Sequence, residues 1–71
     1  MNAINPEKLH HSKWTAAKPS NKEKHFLVTA LERDEEENVV AVTLEAVYTH
    51  RERTLPWQDL KNDDTWLMGW R

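Results

Sequence analysis

The sequence contains no cysteine and a single glycine in 71 residues. Without cysteine there is neither a disulfide nor a thiolate metal site, which fits a reducing compartment. One glycine cannot make the Gly-rich loop that cradles a phosphate. No apolar run approaches the roughly 20 residues that a helix needs to cross a bilayer. The start, Met1-Asn2-Ala3-Ile4-Asn5-Pro6, lacks the charged beginning and apolar stretch of a signal peptide. A soluble cytoplasmic protein with no membrane contact is therefore expected. The histidines are scattered as His10, His11, His25 and His50. Zinc sites close on four ligands, and an adjacent His pair lacks the offset to aim both rings at one ion. No metal and no other cofactor is expected.

What the chain does have is tryptophan: Trp14, Trp57, Trp66 and Trp70. A domain this small buries only about 60% of the surface that its unfolded chain exposes, so its margin of stability is thin. Each buried tryptophan removes about 150–250 Å² from water. Four of them give a gross gain of about 15–25 kcal/mol as an upper bound. Trp57, Trp66 and Trp70 are accordingly assigned to the core, whereas Trp14, among polar and basic neighbours, is open to either use.

The net charge of −2 hides an asymmetry. Residues 1–25 carry five lysines against Glu7 and Glu23, a net of +3. Residues 26–71 carry five basic residues against ten acids, a net of −5. A basic arm on an acidic body either contacts a polyanion or lies on its own body.

Along the chain, Asn5-Pro6-Glu7 reads as a short helix start, with Asn as cap and Pro at the first helical position. Thr15 to Glu23 reads as extended or looped. His25 to Arg33 and Asn38 to Tyr48 read as strands around the acidic turn Asp34-Glu35-Glu36-Glu37. A four-residue turn sets Leu31 opposite Val40, Thr29 opposite Val42 and Leu27 opposite Leu44. Thr49 to Glu52 reverses the chain into a third strand at about residues 52–57, setting Leu55 opposite Ala46, and Pro56 marks that strand as an edge. Leu27, Leu31, Val40, Val42, Leu44, Ala46, Leu55 and Trp57 then share one apolar face. Residues 57–61 suggest a helical turn. A second turn, capped by Asp63 or Asp64, would place Trp66 and Trp70 on one side, and Gly69 offers a positive-φ position that re-aims Trp70. The expected fold is mainly β (small α+β). It is a single domain over residues 1–71, with a basic arm at 1–23, a three-stranded antiparallel meander at 24–57 and a Trp-rich cover at 58–71. The arm and the short C-terminal helical turns cover one face of the meander, because a single sheet cannot bury its own face.

Ser12-Lys13-Trp14-Thr15-Ala16, Pro19, Glu23-Lys24-His25-Phe26, Leu44-Glu45-Ala46-Val47, Pro56-Trp57, Leu60 and Trp66-x-x-Gly69-Trp70 together resemble the small bacterial tryptophan-rich proteins classed as a domain of unknown function. The resemblance runs over nearly the whole chain. It implies a complete small domain and transfers no activity, substrate or catalytic residue.

The residues themselves offer no paired nucleophile and base. Ser12 beside His11 is adjacency in sequence, whereas a catalytic triad is a spatial arrangement. The leading expectation is a non-enzymatic interaction module that holds a protein or RNA partner through its basic arm, at Lys13, Trp14, Lys18, Lys22 and Lys24. Lysines interleaved with aromatic rings suit phosphate contact and base stacking. Two alternatives are a ligand-binding or enzymatic domain with a pocket near His25 and Glu45, and a homodimer that buries Phe26 and Val28.

Overall fold

Five antiparallel strands form one sheet where the sequence predicts three. A computed structural model describes residues Met1–Arg71. The strands are β1 (Lys13–Ser20), β2 (Glu23–Arg33), β3 (Val39–Ala46), β4 (Glu52–Pro56) and β5 (Trp66–Met68), in the spatial order β4-β3-β2-β1-β5. The only helical pieces are 3₁₀ turns at Pro6–Lys8 and Trp57–Lys61. Asn5 caps the first, its side chain accepting the Glu7 N–H at 3.1 Å.

The segment expected to be an arm is thus a strand, bonded to β2 on one side and β5 on the other. Its hairpin to β2 turns through Asn21 and Lys22, at φ 54° and 63°. Two consecutive positive φ angles make the primed turn whose twist suits paired strands. Asn adopts that conformation readily; Lys does so at a cost, so the turn carries no glycine signal. Pro19 falls where the β1–β2 register is irregular, and its missing N–H costs no ladder bond there.

The β2–β3 register differs from the expected one. Leu27 faces Glu45, Val28 faces Leu44 and Leu31 faces Val42, with an irregularity between Val28 and Ala30. A one-residue slip moves side chains to the opposite face, so Phe26 and Val28 point into the core and Leu27 points away, half-buried. The bulge at Thr29 restores the phase, and Leu31 packs on the core again. A second irregularity between Glu32 and Arg33 buries Val39 and leaves Val40 44% exposed, overturning the core assignment of Val40.

The β3–β4 hairpin is shifted by four residues, pairing Leu55 with Val42. An even shift preserves the face, and Leu55 still packs against the core. β4 is an edge strand that ends at Pro56.

The apolar face carries Trp14, Phe26, Val28, Val42, Leu44, Ala46 and Trp66, covered by Leu9 and Leu60. Trp57 is half-buried at its margin. The cover is held by Asn2, whose N–H donates to the Lys61 carbonyl at 2.9 Å and whose Nδ2 donates to the carbonyls of Leu60 and Trp66, each at 2.8 Å. Residues 58–71 therefore do not act as one lid. Trp57–Lys61 covers the core, Trp66–Met68 is a strand, and the last residues cross to the other face.

At the acidic hairpin tip, the Asp34 carboxylate accepts the N–H groups of Glu36 and Asn38, each at 2.9 Å. The bond from Asn38, followed by that from Glu36, holds its pKa below the usual aspartate value. A depressed carboxyl contributes stability above its unfolded pKa and loses it as pH falls through the lower folded one. In an NMR titration the Asp34 carboxyl should therefore titrate at lower pH than an aspartate in an unstructured peptide. The Asn38 amide should shift with the same midpoint. Equal midpoints for Asp34 and the peptide would contradict the turn.

Candidate partner-binding surface

The face opposite the core is where the C-terminal residues come to rest. Gly69 at φ 78° turns the chain out of β5, its N–H donating to the Lys13 carbonyl at 2.9 Å. Thr15, buried on this face, donates its hydroxyl to the Gly69 carbonyl at 2.6 Å and accepts the Arg71 N–H at 3.0 Å. His25 Nε2 lies 2.9 Å from the Arg71 carbonyl. Trp70 is thereby laid over β1 and β2, and its Nε1 donates to the Phe26 carbonyl at 2.9 Å. It remains 43% exposed, which overturns its assignment to the core beside Trp66.

One of the lysines singled out in the sequence stands at that ring, and two more lie beyond His25. Lys13 Nζ stands 4.8 Å from the Trp70 centroid, within cation–π range. The His25 ring is 5.9 Å away on the same indole. His25 in turn lines an open depression of about 600 Å³ with Lys22, Lys24, Val47 and Tyr48. Tyr48 is 70% exposed, projecting from the loop that ends with His50 at φ 64°. None of Lys13, Lys22 and Lys24 forms an ion pair. The result is a continuous basic and aromatic shelf: Lys13, Trp70, His25, Lys24, Lys22 and Tyr48.

Two of the expected binding residues lie elsewhere. Trp14 is 2% exposed, directly opposite Phe26, with Nε1 donating to Ser12 Oγ at 2.9 Å, so no partner can reach it. Lys18 lines a separate depression on the core side, with Glu23 and Asp64. Both are close to the other lysines in sequence, but alternation along β1 sends Trp14 and Lys13 to opposite faces. Trp70 and Tyr48, outside the expected set, lie with the remaining lysines instead. Gly69 beside Trp70 was the available signal for the first.

The other two expectations lose their geometry. Glu45 is bonded to His50 Nδ1 at 2.9 Å, not to His25, and His25 lies with Lys22, Lys24 and Tyr48, without Glu45. Phe26 and Val28 are buried within the chain, so neither offers a surface to a second copy. No three His, Cys, Asp or Glu side chains converge on a point where a metal could sit, and no helix is long and apolar enough to cross a membrane.

The family model described as "Tryptophan-rich protein (DUF2389)" matches residues 12–71, from the bond partner of Trp14 through every strand and the whole of the shelf. None of the curated proteins and none of the solved structures compared with the chain matches it. The chain belongs to the tryptophan-rich DUF2389 family.

Proposed function

We propose that the chain is a non-enzymatic binding module that takes single-stranded RNA on the Lys13–Trp70–Tyr48 shelf. The observation that carries this is the partly exposed Trp70 ring with Lys13 at 4.8 Å and His25 at 5.9 Å, continuous with Lys22, Lys24 and Tyr48. Exposed aromatic faces accept stacked bases, and free lysines beside them meet the intervening phosphates. The overall charge of −2 weighs against nonspecific polyanion binding, so contact is confined to this local patch.

The test is a titration of a mixed-sequence single-stranded RNA followed by fluorescence anisotropy over a range of salt. Affinity should fall with salt, by a log–log slope of about −0.7 per phosphate neutralised. Trp70→Ala should weaken binding by about 1–3 kcal/mol, roughly 5- to 150-fold. Charge reversal at Lys13, Lys22 and Lys24 together should remove binding, whereas Lys18→Glu, on the other side of the sheet, should change it little. No binding at low salt, or equal sensitivity to Lys18→Glu, would overturn the proposal. Binding of acidic peptides in place of RNA would move the shelf to a protein partner.

A further inference from the structure

The core side of the sheet is not covered everywhere. On that side Arg53 of β4 stands over two of the core rings. Its guanidinium lies 5.2 Å from the Trp66 ring centroid and 5.5 Å from that of Phe26. Those two rings meet edge-on at 5.2 Å. Arg53 makes no ion pair and no side-chain hydrogen bond. Stacking uses the face of a guanidinium and leaves its in-plane N–H groups free for a bidentate carboxylate. Arg53 thus stands beside two aromatic rings with its donors unspent.

Arg53 and Trp66 line an open groove of about 590 Å³, together with Leu55, Gln58, Asp59 and Thr65 among others. Its charges decide the ligand class. Arg53 is its one cation and Asp59 its one anion, and the adjoining depression adds Lys18 against Glu23 and Asp64. Together they hold two cations and three anions, so a phosphate-rich or polycarboxylate ligand is repelled. A ligand with one carboxylate and one ammonium is matched on both groups, with apolar Leu55 alongside.

We infer that the Arg53 groove is a second binding site, for a zwitterionic ligand of the amino-acid or short-peptide class. Arg53 takes the carboxylate and Asp59 the ammonium. The site lies on the opposite side of the sheet from the shelf and does not depend on the RNA proposal.

The test follows the Arg53 Nε–H and Trp66 Nε1–H resonances of the full chain in ¹H–¹⁵N spectra. Probes are the free amino acids, Gly-Gly and N-acetylalanine methylamide, at up to about 10 mM, enough to saturate a 1 mM site. Saturable shifts with the zwitterions, absent with the blocked compound, are expected. Arg53→Gln and Asp59→Asn should each weaken binding at least about tenfold, or about 1.4 kcal/mol, with the rest of the spectrum confirming the fold. A stronger response to Gly-Gly than to any amino acid assigns the site to peptides, and the reverse to free amino acids; either supports the inference. No saturable shift, binding unchanged by Arg53→Gln, or equal binding of the blocked compound overturns it.

Discussion

Trp14→Ala should destabilise the fold by about 3–5 kcal/mol, more than any single change on the shelf. A domain has about 5–15 kcal/mol in total, and one this small sits toward the bottom of that range, so the variant should be largely unfolded or close to it. The reason is position. Trp14 is 2% exposed and stands on a strand paired on both sides, with Phe26 opposite in β2 and Met68 opposite in β5. Its ring belongs to the same cluster as Leu9 and Leu60, where the N-terminal segment and the second 3₁₀ turn close over the sheet. Its Nε1 donates to Ser12 Oγ at 2.9 Å, and that hydroxyl donates to the Leu9 carbonyl at 2.6 Å. Alanine therefore opens a cavity and unseats the cover together. Trp14→Phe keeps one ring and loses the N–H and part of the side-chain volume, at a smaller cost than alanine. Urea denaturation should rank Trp14→Ala as far more damaging than Trp70→Ala, because Trp70 is 43% exposed. A ranking with Trp70→Ala worse would place the core on the wrong side of the sheet.

That ranking reverses the roles suggested by the residues' neighbours in sequence. Trp14 is flanked by lysine and polar residues, yet alternation along a strand buries a side chain whatever its neighbours carry. Trp70, four residues after Trp66, fits a helical face, but three residues of β5 and one glycine at φ 78° put the two rings on opposite sides of a sheet. Local pattern does reveal Asn5 as a cap, the acidic hairpin tip, Pro56 at an edge and the inward row Val42, Leu44 and Ala46. These features depend on neighbours one to four positions away. The register of β2 does not, because both faces of that strand carry apolar residues: Phe26 and Val28 on one, Leu27 on the other. Pairing with β1 and β3, and the bulge at Thr29, make the choice. The shelf was half legible for the same reason. Its lysines are conspicuous in the sequence, but their aromatic partners come from Tyr48 and Trp70, more than twenty residues away.

Thr15→Val should give the second large effect, and it separates stability from charge. Valine matches threonine in size and suits a strand, so the loss is that of the hydroxyl. In the wild type that oxygen donates to Gly69 and accepts from Arg71, bridging β1 to the departing C-terminus. Removing it leaves a carbonyl and an N–H without partners beside a buried methyl group, at about 1–3 kcal/mol. The damage falls first on residues 69–71, which hold Trp70 against Lys13 and His25. Thr15→Val should therefore speed hydrogen exchange of the Trp70 indole N–H, now bonded to the Phe26 carbonyl. It should also weaken RNA binding without changing any charge, whereas Thr15→Ser, which keeps the oxygen, should retain most of both. The core-side response of Arg53 to zwitterions should survive Thr15→Val, since that groove shares no residue with the C-terminal tail. Unchanged indole exchange in Thr15→Val would mean that the Trp70–Phe26 bond and the His25 contact hold the tail on their own. Altered exchange with intact RNA binding would place the contact surface at Lys22, Lys24 and Tyr48, with Trp70 outside it.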